Sequence, residues 1–284
     1  MYPDGRLERV IVTIAERPKG RANAFLNQAA SVVAVWCGLV LVQLPFTSTT
    51  QAEDLFPNLN IVTEEWAPYQ YTENGQLKGS TVDFLLAILK AAGSKQGRED
   101  VQVLPWARAY LRVQNEPNTV LFSTTRTPER ENLFKWVGPI LKNSTYFIGK
   151  KSRNYKIQTS KDLHKYQIGV IIDDASELFA KRHAVPQKHL TRNSRADINM
   201  KMLEAGRIDF VVTGWTAFEL EARNIGADPS NYERVFLADS SHVSFAFNRN
   251  TADWIIDRFF VAYQTVRKTG KFDYLTGPID SGTN

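Results

Sequence analysis

Residues 104–140 read LPWARAYLRVQNEPNTVLFSTTRTPERENLFKWVGPI, and the alternation inside this stretch decides the fold class. Residues 107–114 read as a helix and residues 120–123 (VLFS) as a short buried strand. Thr127-Pro128-Glu129 carries the signature of a helix start, a Thr N-cap followed by Pro at the first helical position.

The same alternation continues on both sides. Upstream, residues 59–63 (LNIVT) and 101–104 read as strands flanking STVDFLLAILKAAG, residues 80–93. There Ser80 or Thr81 can cap the helix start, Asp83 suits the dipole of the first turn, and Gly93 suits the position just past the end. Downstream, residues 166–172, 209–213 and 243–247 read as strands, and residues 176–183, 198–205 and 254–268 as helices. The last helix places Trp254, Ile255, Phe259, Ala262, Tyr263 and Val266 near helical spacing. Short strands alternating with helices of this size specify an α/β protein with mostly parallel sheets.

The first 52 residues read differently. A basic segment with Arg6, Arg9, Arg17, Lys19 and Arg21 precedes an uncharged run from Ala29 to Val42, which continues as QLPF to Phe46. That run is short of the ~20 residues a spanning helix needs. It fits the apolar core of a secretory leader, about 7–15 residues long. Thr50-Gln51-Ala52 offers a small-x-small cleavage site, so residues 1–52 are expected to be a signal peptide and the rest a periplasmic protein. An uncleaved anchor is the alternative. Cys37, the only cysteine, lies mid-run behind bulky Val35-Trp36, which argues against lipid attachment there.

Composition bounds the remainder. With 43% hydrophobic and 23% charged residues, the chain can bury a core and is neither disordered nor collagenous. The net charge of +5 falls to +3 once the leader's five basic and three acidic residues are set aside. Basic residues elsewhere interleave with acids, as in Lys161-Asp162, and form no stripe for nucleic acid. His164, His183, His189 and His242 lack metal-ligand spacing, and no P-loop, GxGxxG, GxSxG or HExxH motif occurs. No metal and no cofactor is expected.

Two stretches carry a resemblance. One is Glu64-Glu65-Trp66-Ala67-Pro68-Tyr69-Gln70-Tyr71 with the NGQLKGSTVDFLLAILKAAG that follows it; the other is residues 104–140, with its TxTPER element. Together they resemble the family 3 extracellular solute-binding proteins, receptors of polar amino-acid ABC importers, over residues 57–275. The resemblance implies a type II periplasmic-binding fold, α/β, with two mixed sheets in two lobes joined by crossing strands. Lobe 1 would comprise residues 53–139 and 244–284, and lobe 2 residues 145–238. The crossings would fall at 140–144 and 239–243. A ligand would be trapped in the cleft by hinge closure.

Carried over residue by residue, Arg130 would hold a ligand carboxylate, with Thr125 and Ser123 donating beside it; capping of local helix structure, or pairing with Glu129 or Glu131, is the structural alternative. Trp66 and Trp106 would sandwich the ligand, with Tyr69 behind them. The sequence also departs from the family. The lobe 2 position where an Asp would grip an ammonium group is Gly214, followed by Trp215, and the ligand-facing helix start reads Asp173-Asp174-Ala175-Ser176. Asp174, or Glu65, is therefore the candidate for a cationic end. The expected function is capture of a small polar, amino-acid-like ligand by a monomer that delivers it to a membrane permease. Sensing through a separate signalling partner, and a dehydratase-type enzyme using Asp173, Asp174, Glu64 or Glu65, are the alternatives.

Overall fold

The computed structural model describes residues 56–276. The leader read at 1–52 with its cleavage site, and residues 53–55 and 277–284 of the expected first lobe, lie outside the described residues. In chain order the elements are β1 (Asn60–Thr63), β2 (Tyr71–Glu73), β3 (Gln76–Lys78), α1 (Ser80–Ala92), β4 (Val101–Val103), α2 (Trp106–Asn115), β5 (Thr119–Thr125) and β6 (Phe134–Lys150). There follow β7 (Ile168–Ile171), α3 (Ala175–Arg182), β8 (Leu190–Asn193), α4 (Ala196–Glu204), β9 (Phe210–Gly214), α5 (Trp215–Asn224), β10 (Tyr232–Asn248), α6 (Asp253–Arg267) and α7 (Asp273–Thr276).

Two parallel blocks, β4-β1-β5 and β9-β7-β8, are joined by a long antiparallel pair, β10-β6. Each strand of that pair is 17 residues long, and their register runs from Phe134 opposite Asn248 to Lys150 opposite Tyr232. The two mixed sheets are thus linked into a continuous eight-stranded ladder.

Helices cover both faces of each block because the strands are apolar on both sides. In the first block, α1 and α6 pack Phe84, Leu85, Ile88, Phe259 and Val266 against Ile61, Val120 and Phe245. On the opposite face, α2 sets Trp106, Ala109 and Val113 over Val62, Leu121 and Ala246. In the second block, Phe179 and Ala180 of α3 meet Val170 and Phe210, while Met200 and Leu203 of α4 and Phe218 of α5 meet Val211. Successive residues of β6 serve the two faces: Phe147 joins the α3 side and Ile148 the α4–α5 side, as strand pleating requires. Phe84 packs its ring against Phe245, Tyr263 and Phe272 with centroids 4.9–6.2 Å apart, so Phe84→Ala would cost about 3–5 kcal/mol.

Several readings from sequence change. The N-cap of α1 is Gly79, not Ser80 or Thr81. The Thr81 hydroxyl is instead committed to the carbonyl of Tyr69 at 2.9 Å and to Gln70 Oε1 at 2.8 Å. Thr127 begins no α-helix. Two successive tight turns, Arg130 N–H to Thr127 O and Leu133 N–H to Arg130 O, carry the chain from β5 into β6. The chain must reverse there because Phe134 already pairs with Asn248 and is buried. Gly93 does take the left-handed conformation at the end of α1, with φ 82°. Helix α5, the β2–β3 hairpin and β8 were not anticipated. No helix of the described residues is long and apolar enough to cross a membrane.

Candidate functional site

The carboxyl ends of the parallel strands converge on one cavity of about 1270 Å³. The segment after β1 brings Glu64, Glu65 and Trp66, that after β4 brings Trp106, and the end of β5 brings Ser123 and Thr125. From the other side come Ile171 and Asp174 after β7, and Thr213 and Gly214 at the end of β9. Asn143 and Thr145 of β6 line the floor between the two sides. Ligands in open α/β sheets bind at these strand ends, where backbone groups are left without ladder partners.

Local chemistry fixes each wall. The Trp66 loop is a tight turn, with Trp66 N–H donating to Gln70 O at 2.7 Å and the Tyr69 ring 4.4 Å from the Trp66 ring. Buried Gln70 pins that loop, its Oε1 accepting from Thr81 Oγ1 at 2.8 Å and from Ser123 Oγ at 2.9 Å. The Ser123 hydroxyl is therefore spent on Gln70. Gly214 starts α5, and a Cβ there would lie 2.6 Å from Asn143 Oδ1, so glycine lets Asn143 reach the cavity wall. Asp174 caps α3, its Oδ2 accepting from Ser176 N–H at 3.3 Å.

Of the ten residues expected at the site, Glu65, Trp66, Trp106, Ser123, Thr125, Asp174 and Gly214 line the cavity; Arg130, Tyr69 and Trp215 do not. Tyr69 supports Trp66 from behind. Trp215 stacks on Phe218 at 5.4 Å and carries the Arg234 guanidinium over its ring.

Arg130 is only 4% exposed. Its guanidinium lies against the rings of Trp106 and Tyr110, 5.1 and 5.0 Å from their centroids. Nη1 donates to Thr125 O at 3.3 Å and Nη2 to Asp173 O at 3.2 Å. The Asp173 carbonyl also accepts from Trp106 Nε1 at 2.8 Å. Asp173 reaches that position in the left-handed region, at φ 59°, with its N–H donating to Glu177 Oε2. Glu129 adds a two-pronged pair with Arg182 of α3, which also holds Asp239. Trp106, Arg130 and Glu129 therefore bind the β5 side of the cavity to the α3 side.

The lining is acidic. Glu64, Glu65, Asp174, Asp197, Glu204 and Glu221 face two cations, Arg195 and Lys201. Both cations pair with Asp197, at 2.8 and 3.0 Å. Burial holds the Glu64 carboxyl well above the usual carboxylate range; Asp174 adds to the rise and Arg130 only partly offsets it. The Glu221 carboxyl is also raised, first by burial and then by Asp197, with Glu65 adding a smaller push. Glu64 is the residue that reading from sequence under-ranked. Adjacent Glu65 spends its carboxylate on the Thr72 N–H and hydroxyl, at 2.9 and 2.5 Å. Among the described residues no group of three or more His, Cys, Asp or Glu side chains could hold a metal ion.

The model of the bacterial extracellular solute-binding proteins, family 3, matches residues 59–273. No curated protein matches the chain. Among solved structures, the chain is similar to an ancestral arginine-binding protein bound to arginine, at 21% identity and TM-score 0.64, covering 77% of this chain and 96% of that one. It is also similar to a histidine kinase sensor domain with similarity to periplasmic binding proteins, at 17% identity and TM-score 0.65, covering 77% and 94%. The arginine-, lysine-, histidine-binding protein ArtJ of Geobacillus stearothermophilus follows at 20% identity and TM-score 0.63, covering 76% and 93%. At these identities the likenesses establish the two-lobed fold.

Proposed function

The chain belongs to the bacterial extracellular solute-binding proteins of family 3, and from that premise we propose that it captures a small polar, amino-acid-like solute by hinge closure and delivers it to the membrane permease of an ABC importer. Lobe 1 is formed by residues up to 139 and from 244, and lobe 2 by residues 145–238. The crossings at 140–144 and 239–243 act as the hinge. The apolar clusters support this division: Val137 and Phe245 belong to the cluster under α1 and α6, whereas Phe147 and Ala238 belong to the one under α3.

One observation carries the reading: the Asp173 carbonyl accepts hydrogen bonds from Trp106 and Arg130 across the mouth of a cavity lined from both sides. This is the arrangement of two walls held together on either side of a ligand cleft. The solute site comprises Glu64, Glu65, Trp66, Trp106, Thr125, Asp174 and Gly214, with Arg130 acting through Trp106 and Asp173. The protein works as a monomer, binds no nucleic acid, uses no cofactor and turns over no substrate. The leader at residues 1–52 exports it to the periplasm. Mass spectrometry of the small molecule released by mild unfolding of the natively purified protein tests the reading; solute uptake by cells lacking the protein tests delivery. Loss of a transcriptional response with intact uptake would favour the sensing alternative, which the likeness to a sensor domain also supports.

A further inference from the structure

Every cation at the cavity is already engaged. Arg130 stands behind Trp106 with both terminal nitrogens on carbonyl oxygens, and Arg195 and Lys201 both sit on Asp197. Of the lining carboxylates, Asp197 holds those two cations and Glu204 pairs with Lys150. Glu64, Glu65, Asp174 and Glu221 have no ion-pair partner within 4.0 Å among the described residues. These four carboxylates are distributed across the cleft. Glu64 after β1 is within electrostatic reach of Asp174 at the start of α3, and Glu65 is within reach of Glu221 on α5. Closure therefore sets Glu64 and Asp174, and likewise Glu65 and Glu221, on opposite walls of one space.

We infer that the cavity selects an elongated organic dication without a carboxylate, a diamine or guanidino-amine of the kind left when a basic amino acid loses its carboxyl group. This inference rests on the reading of the cavity as the solute site and narrows its chemistry. One cationic group bridges Glu64 and Asp174, the other bridges Glu65 and Glu221, and each converts a repulsion that opposes closure into an attraction that favours it. Trp66, which is only partly buried, lines the same space, a suitable surface for a cation's methylene chain and charged ends. The cavity exceeds the roughly 300–1,000 Å³ of ordinary small-molecule sites, which leaves length for a chain between the two charges. An α-carboxylate would bring a further negative charge to a wall whose cations, among the described residues, already hold hydrogen-bond or ion-pair partners.

Isothermal titration of the solute-stripped full chain with agmatine and arginine, 1,5-diaminopentane and lysine, and the monoamine butylamine tests this. Each decarboxylated compound should bind at least tenfold more tightly than its parent amino acid, and the diamine at least tenfold more tightly than the monoamine. Glu64→Gln and Asp174→Asn should each weaken diamine binding tenfold or more while the ligand-free proteins keep cooperative unfolding; Asn retains the helix-capping oxygen at position 174. Arginine or lysine binding as tightly as its decarboxylated partner would overturn the inference and leave solute capture standing. So would tight binding of a neutral or anionic solute with no amine binding. If no compound binds and none is released from the native protein, solute capture itself fails.

Discussion

Replacing Arg130 with methionine separates two accounts of the most conspicuous cation at the site. In the structure this guanidinium is a buried strut: two rings at 5.0–5.1 Å and two carbonyl acceptors at 3.2–3.3 Å. Hydrogen bonds from a charged donor contribute about 1.5–3 kcal/mol each, and these long ones fall at the lower end. Each cation–π contact adds about 0.5–2 kcal/mol. Methionine refills the volume and returns about 0.3–1.5 kcal/mol through sulfur–ring contact. The terms are not additive, so a net loss of about 2–4 kcal/mol is expected. For a protein of this size that lowers Tm by roughly 5–15 °C, at about 2–4 °C per kcal/mol. Thermal unfolding of the solute-free variant by circular dichroism reads the stability, and titration with the solute reads affinity. Affinity should fall by about tenfold, because closure loses one hydrogen bond to Asp173 but the solute loses no direct contact. Unchanged Tm with a loss of affinity beyond a hundredfold would refute the reasoning and make Arg130 a solute-gripping residue.

Other outcomes follow from the same geometry. Because Glu64 holds its proton above the usual carboxylate pKa, the folded state binds more protons than the unfolded one over that window; stability therefore falls as pH rises from about 4.3 to the raised value and levels off above it. Denaturant titrations across pH 4–9 should show that slope in the solute-free protein and a smaller one in Glu64→Gln. Glu129→Ala removes a partly exposed pair to Arg182, worth about 1 kcal/mol or less, so stopped-flow release of solute should quicken only severalfold. Gly79→Ala should destabilise by more than about 2 kcal/mol and disturb the Trp66 loop, because φ is +120° and a Cβ would sit 2.1 Å from Tyr69 O; chemical denaturation checks the cost.

Much of the fold was legible because its local signals agree with its packing. The apolar runs at β1, β5, β7 and β9 are buried strands, and Gly93 ends α1 in the conformation glycine favours. The length of β6 and β10 was not legible. The polar run Lys142-Asn143-Ser144-Thr145 has no strand pattern of its own, and only the family resemblance placed crossing strands at 140–144 and 239–243; pairing with β10 holds residues 142–145 in the ladder, from Lys142 opposite His242 to Thr145 opposite Asp239. Thr127-Pro128 looked like a helix start because capping chemistry and turn chemistry use the same residues, and the demand to return into β6 decided between them. At the site, the aromatic pair Trp66 and Trp106 was readable from the family pattern. How the two neighbouring carboxylates are held was not: both line the cavity, but Glu65 also accepts from Thr72, a contact seven residues away created by the turn itself. No sequence pattern reveals that Trp106 and Tyr110 enclose the Arg130 guanidinium.

The central claim is capture of a solute between two closing lobes. Small-angle X-ray scattering of the solute-stripped protein, titrated with the molecule released from the native protein, tests it most directly. The account predicts a fall in radius of gyration that saturates at one solute per chain, in step with the binding heat. A radius of gyration that stays constant through saturating binding would contradict it.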